Sequence, residues 1–381
     1  MKQGWEYKKL GEVCNITMGQ SPDGKSINDN EGVEFHQGKT CFGEQTLGVS
    51  NLFSNAPVKL AEAHSVLLCV RAPVGYPNIT DRKICIGRGL CALYAKEDID
   101  NKFLFYSLLG KQSHFEKNAT GSTFKAISSK VVSNTEIPIP PKSTQLAIVS
   151  ELDKINELIR LKKEQLKDYD NLAQSIFYEM FGDPVENEKG WEVKKIGDLA
   201  IVKTGPFGSM LHKEDYITDG IPLVNPVHMK DFKIVPDKEF TISKEKACDL
   251  ENYMLQNNDV VFARRGDIGR CAIVSKTEHG YLCGTGSLFV RFTEDIESVF
   301  IMYIVRSESF SKHLVSKAKG ATMLNINSNT ITDLEILLPP LPLQHLFAQR
   351  IEQIEHQKSE VAKAITDLET LLASRMQYWF E

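Results

Sequence analysis

The sequence predicts an α+β protein in which two mixed globules alternate with two long helices. Three observations carry this. The 381-residue chain repeats itself once along its whole length. Each copy contains short Val/Ile/Phe/Tyr runs broken by Gly, Pro, Asn and Asp, together with helix-like stretches. Each copy then ends in roughly 38 residues without glycine or proline that carry a heptad pattern.

The duplication is read from matched strings. Gly4-Trp5-Glu6-Tyr7-Lys8-Lys9-Leu10-Gly11-Glu12 returns as Gly190-Trp191-Glu192-Val193-Lys194-Lys195-Ile196-Gly197-Asp198, at an offset of 186. Gly19 matches Gly205 at the same offset, and Arg71-Ala72-Pro73-Val74-Gly75 matches Arg265-Gly266-Asp267-Ile268-Gly269 at 194. Phe103 matches Phe300 at 197. Gly121 matches Gly320 and Ile137-Pro138-Ile139-Pro140-Pro141 matches Ile336-Leu337-Leu338-Pro339-Pro340, both at 199. Conserved order with slowly drifting offset is the mark of an internal repeat.

Within the globules, 66–70, 260–263 and 287–290 read as strands, and 103–117 and 298–317 as helices. After each Pro-Pro pair the apolar residues step by 4 and 3. The first seam is Ile148, Leu152, Ile155, Ile159, Lys162, Leu166, Tyr169, Ala173, Ile176 and Met180. The second is Phe347, Ile351, Ile354, Lys358, Val361, Ile365, Leu368, Leu372, Arg375 and Trp379. A spacing of 3.5 is that of helix packed on helix in a left-handed coil. An amphipathic helix covering its own domain is the plainer alternative. The expected division is 1–141, a first globule; 142–183, a central helical region; 184–341, a second globule; and 342–381, a distal helical region. Antiparallel pairing gives a pseudo-two-fold rod of roughly 50 Å and brings Glu381 back beside Met1.

Composition excludes other classes. Apolar residues are 42% and charged residues 25%, ordinary for a globular protein. No apolar run is long enough to span a bilayer, and the first residues lack a signal-peptide stretch. The eight cysteines show no Cys-x-x-Cys spacing, so they read as reduced packing thiols of a cytoplasmic protein, with no metal site. Catalytic motifs are missing as well. Asn225-Pro226-Val227-His228 lacks the second proline and aromatic residue of an amino-methyltransferase loop, and no phosphate-binding Gly-x-x-x-x-Gly-Lys-Ser/Thr occurs. Gly284-Thr285-Gly286 is a lone Gly-x-Gly and carries little weight.

The whole chain resembles the specificity subunit of type I restriction-modification systems. The likeness rests on Trp5-x-x-x-x-Leu10-Gly11-Glu12-Val13 with Gly19-Gln20-Ser21-Pro22, and on Trp191-x-x-x-x-Ile196-Gly197-Asp198 with Thr204-Gly205-Pro206-Phe207-Gly208-Ser209. It rests also on the Pro-Pro entries to the helices with Gln145 and Gln344. The resemblance implies two target-recognition domains, each reading half of a bipartite site on double-stranded DNA. It implies helices that set the unread spacer and dock two methyltransferase subunits, with restriction/translocase subunits completing the assembly. It implies no catalysis and no cofactor on this chain. S-adenosylmethionine belongs on the methyltransferase partners, and ATP and Mg on the restriction subunit. A coiled-coil scaffold whose globules bind protein is the alternative.

Net charge is −5 overall, but +2 over 1–141, −3 over 184–341 and −2 over each helical region. DNA affinity depends on phosphate contacts, so cations must be concentrated locally in the globules. Candidates in the first are Lys25, Lys39, Arg71, Arg82, Lys83, Arg88 and Lys125, with Asn28 and Gln37 as base readers. In the second they are Arg264, Arg265, Arg270, Lys317 and Lys319, with Asn225, Asn325 and Asn327. For each, the plainer reading is a solvated surface side chain.

Overall fold

The computed structural model describes residues 5–121, 125–207, 210–293, 296–318 and 325–380. Residue contacts divide the chain into two compact units, 1–163 with 362–381, and 164–361. Each unit therefore takes part of both long helices, which run over Lys142–Phe181 and Leu341–Phe380.

In the first unit, an antiparallel sheet is ordered Cys14–Met18, Leu90–Ala95, Val66–Cys69, Pro77–Ile79. Val66–Cys69 is buried at every position, so it reads as a continuous apolar run rather than an alternating one. The period of two still sorts its side chains. Val66 and Leu68 enter the core shared with the helices, while Leu67 and Cys69 enter a second core with Ile84, Ile86 and Leu90. That second core lies under a five-stranded sheet in which Val33–His36 pairs parallel with Ile84–Ile86. The sheet is thus covered on both faces, as its composition demands.

The second unit repeats this plan. Its antiparallel sheet is ordered Ala200–Thr204, Ser287–Phe292, Val260–Ala263, Cys271–Ile273. Val260 and Phe262 face the helix-side core, and Val261 and Phe289 the other. The parallel pair recurs as Ile221–Val224 with Leu282–Cys283. The ribbons Glu6–Lys9 with Glu136–Ile139 and Glu192–Lys195 with Glu335–Leu338 also correspond.

Each expected globular helix is split in two. The first becomes Asn101–Leu109 and Gln112–Lys117, the second Ser298–Arg306 and Glu308–Lys317. Gly110 breaks the first, and a Cβ there would stand 2.8 Å from Cβ of Phe380 on the C-terminal helix. Ser307 breaks the second by capping the next helix, its Oγ accepting the Phe310 N–H.

Inside the first unit the helices are antiparallel. Arg375 pairs with Glu151, and Lys163 with Glu369. Ile148, Leu152, Ile155, Ile159 and Ile365 are buried, and Leu372 is half-buried. Trp379 stacks on Trp5 at 6.1 Å, and Phe380 packs on Phe103, which brings the two ends of the described chain together. Inside the second unit Lys358 pairs with Asp170, again antiparallel. Phe347, Ile351, Ile354 and Val361 are buried there, whereas Leu166 and Ile176 are half-buried. The first helix is anchored at its end by Ala173, Phe177 and Phe181, a set one position beyond Ile176 and Met180. The seam turns because the end of the helix meets the globule's helices rather than its partner alone.

Both helix entries use the same buried clamp. Gln145 accepts the Asp100 N–H and donates to the Asp98 and Pro140 carbonyls. Gln344 accepts the Glu297 N–H and donates to the Pro339 carbonyl. All eight cysteines are free thiols. No described helix is long and apolar enough to cross a membrane.

Arg82 belongs to this framework. Its Nε and Nη2 donate to Glu34 at 2.6 and 2.8 Å, and its other donors reach Asp81 and the Leu47 and Gly48 carbonyls. Burial opposes ionisation of Glu34, but bonds from Arg82, the Ser50 N–H and His36 outweigh it and hold its pKa at about 2. A depressed pKa contributes stability above the unfolded value and loses it as pH falls. The first unit should therefore lose about 3 kcal/mol on this account between pH about 4.5 and about 2. Thermal melts across that window check this: Arg82→Met should be less stable at neutral pH and should show a shallower acid dependence. Equal acid slopes in the two proteins would contradict it.

Candidate nucleic-acid interface

Strand ends, not helices, assemble the exposed cationic edge of the first unit. Past Val66–Cys69 the chain reaches Val70, whose N–H donates to the Gly89 carbonyl and whose carbonyl accepts the Ile127 N–H. Arg71 bridges Ala126, and the Ala72 N–H donates to the Lys125 carbonyl. The Gly87 N–H donates to His36, Gly19 to Leu90 and Gln20 to Ile86. Segments 19–20, 37–39, 71–72, 87–89 and 125–126 thus meet along one edge. Two glycines permit it: a Cβ on Gly19 would lie 2.1 Å from the Gly87 oxygen, and one on Gly89 2.2 Å from the Gln37 oxygen.

This edge presents Gln37, Lys39, Arg71, Arg88 and Lys125, all exposed. Lys39 Nζ sits 3.5 Å from the Tyr76 ring centroid. Among the described residues none of these four cations has a carboxylate partner. The other candidates lie differently. Lys83 pairs with Glu62, and Arg82 is held as described. Asn28 Oδ1 accepts the Asn30 and Glu31 N–H groups of its own turn. Lys25 is exposed on the short turn Gly24–Ser26.

The second unit builds the same edge from matching segments. The Arg264 N–H donates to the Gly286 carbonyl, its carbonyl accepts the Ile326 N–H, and Arg265 bridges Asn325. A Cβ on Gly205 would lie 2.0 Å from the Gly284 oxygen. Asn225 Oδ1 accepts the Gly286 N–H, fixing the turn at the position that Gln37 occupies in the first copy. Arg265 is exposed. Arg264 is half-buried, its Nε is buried without a hydrogen-bond partner, and burial followed by the charge of Arg265 lowers its pKa. Arg270 donates to Asp267 and the Pro226 carbonyl, and Asn327 caps the helix Ser328–Thr332. Lys317 is exposed at the end of its helix, and Lys319 lies outside the described residues.

Gly87-Arg88-Gly89 and Gly284-Thr285-Gly286 occupy corresponding places in the two copies, a match absent from the repeat strings above. The signal was available, since their offset of 197 is that of Phe103 and Phe300.

The family model for the type I restriction modification DNA specificity domain matches residues 2–168 and again 188–369. The chain belongs to this family. Among curated relatives of this DNA specificity family, the MjaIX type I restriction enzyme specificity subunit of Methanocaldococcus jannaschii is 22% identical over 92% of this chain and 86% of its own length. The MjaX specificity subunit of the same organism is 39% identical over 46% of this chain, a match spanning 42% of that relative. A solved structure concerning assembly and conformational transition of the type I R-M system shares the fold, with a TM-score of 0.68, 20% identity, and 100% and 98% of the two chains covered. The solved type I restriction-modification system S subunit from M. genitalium gives a TM-score of 0.56 at 15% identity over 100% and 98% of the two chains. Two specificity domains of mixed helix and sheet, each leading into a long helix, are therefore the architecture of this family and of this chain.

Proposed function

We propose that this chain is the non-catalytic DNA-specificity subunit of a type I restriction-modification complex, each globule reading one half of a bipartite duplex site. One observation carries the reading: an exposed arginine with no carboxylate partner among the described residues stands at the matching place of each copy, Arg71 and Arg265, in a chain whose net charge is −5. Free cations held on a glycine-shaped edge suit phosphates and base edges. The long helices support the rest. Each carries exposed leucines off its seam, Leu158, Leu161 and Leu172 on the first and Leu346 and Leu371 on the second. Such apolar surface on acidic helices suits docking of two methyltransferase subunits. Those partners supply S-adenosylmethionine chemistry, and restriction subunits supply ATP- and Mg-dependent steps. The chain orients the complex and sets the spacer, in the cytoplasm.

The test uses the full chain reconstituted with its methyltransferase subunits. Duplex binding should weaken linearly with log salt concentration, and methylation should fall on a two-part motif. Exchanging residues 1–141 for those of a relative should change one half of that motif and leave the other intact. A protein-binding scaffold would show no salt-dependent DNA binding. A swap that altered both halves would refute independent reading.

A further inference from the structure

We propose that Phe232 is a positioning residue: it fastens the recognition edge of the second globule to the long helices, and so narrows the set of spacer lengths that the complex accepts. The inference rests on the DNA-specificity reading above and assigns part of the spacing to a side chain outside the helices.

The edge turn of the second unit continues into a hairpin. Asn225 Oδ1 accepts the Gly286 N–H, and the His228 carbonyl accepts the Val235 N–H. Between them Met229–Lys230 pairs with Lys233–Ile234. Met229 and Ile234 enter the core away from the helices, whereas Phe232 packs against the helix-side core. The two-residue turn places Asp231 at φ 47° and Phe232 at φ 61°. Such turns need left-handed residues at both centres and favour Asn-Gly, so an aromatic residue there is strained. Strain of this kind persists only where the surroundings impose it.

The surroundings are an ionic cluster. Arg306, which ends the helix Ser298–Arg306, holds its guanidinium 4.0 Å from the Phe232 ring centroid and 4.9 Å from that of Tyr303. It reaches Asp170 on the first long helix at 3.9 Å, and Lys358 on the second reaches the same carboxylate at 2.9 Å. Lys358 also pairs with Glu355, and Glu355 with Lys233 of the hairpin. Hairpin, globule helix and both long helices therefore meet at one place within the second unit. Lys358 stands on the seam, at the position that buried Ile159 fills in the first copy. A polar residue on a seam fixes geometry at a cost in stability.

The first copy makes the same link with other chemistry. Gln45 and Phe232 lie at an offset of 187, against 188 for Gln37 and Asn225. Gln45 Nε2 donates to the hydroxyl of Tyr106, the counterpart of Tyr303, and that hydroxyl donates to Asp153 on the first long helix. Leu109 stands where Arg306 stands. Two unlike sets of side chains thus tie the segment after the edge to the same tyrosine position and onward to a long helix.

The test measures methylation, by the complete complex, of a duplex library randomised in base sequence and in spacer length. Phe232→Gly suits the turn and removes the ring. Methylation on spacers one base pair longer or shorter than the preferred one should rise about three- to ten-fold relative to it, with base preference in both half-sites unchanged. Phe232→Trp keeps an aromatic face for Arg306 and should retain the wild-type spacer distribution. Amide hydrogen exchange over 229–235 should quicken in Phe232→Gly and not in Phe232→Trp. An unchanged spacer distribution in an assembled Phe232→Gly complex would overturn the proposal. So would altered base preference in the second half-site, which marks a residue that reads DNA. Equal loss of methylation at every spacer in both variants would mark a purely structural residue and overturn it too. A wild-type complex that methylates no duplex would refute the DNA-specificity reading instead, and unquickened exchange in Phe232→Gly would refute the link by itself.

Discussion

Arg291→Met should destabilise the second unit by about 3–5 kcal/mol, because it strands a buried carboxylate. Asp259 is 1% exposed, and Arg291 grips it with Nε at 2.8 Å and Nη2 at 2.7 Å. Arg291 Nη2 also donates to the Met254 carbonyl, and the Gln256 N–H donates to Asp259, so the pair ties Ser287–Phe292 to the turn before Val260–Ala263. Removing the guanidinium leaves the carboxylate, among the described residues, with the Gln256 N–H alone. The double variant Arg291→Met/Asp259→Asn keeps that last bond without the buried charge and should recover most of the loss. Urea unfolding of the single and double variants measures this. Additive losses would mean that the pair contributes little beyond its separate contacts.

Phe177→Ala should cost the same unit about 3–5 kcal/mol through the cavity it leaves. Phe177 is fully buried, with ring centroids of Phe181, Phe347, Phe300 and Tyr303 at 5.4, 5.7, 6.1 and 6.1 Å. The rings come from both long helices and from Ser298–Arg306, so the cavity opens where three elements converge. Neighbouring Ile176 is only half-buried, and Ile176→Ala should cost clearly less. The midpoint of denaturant unfolding distinguishes them. Equal shifts would mean that the heptad position, not the aromatic cluster, anchors this end of the helix.

The place of Phe177 marks a boundary of what periodicity conveys. Steps of 3 and 4 find the helices and most of their buried stripe, because a helix facing one partner repeats one face. Where the helix meets a globule the facing surface changes, and no local pattern announces the turn from Ile176 to Phe177. The split at Ser307 is similar: a serine inside an apolar helical pattern becomes a cap only because Phe310 packs just beyond it.

The sequence by itself determined the duplication, the order of globule and helix, the strands at 66–69 (read one residue long, to Val70) and 260–263, and the reach of both long helices. These depend on local periodicity and on like strings recurring in like order. Only the tertiary structure decided which cations are free. Arg82 and Arg71 look alike in sequence, yet Arg82 is neutralised by Glu34, 48 positions away, while Arg71 faces no carboxylate among the described residues. Arg291 is claimed by Asp259 across 32 positions, and Arg264 is left with a buried, unmatched Nε. Neutralisation is settled by partners that folding brings within about 3 Å, and sequence distance says nothing about those.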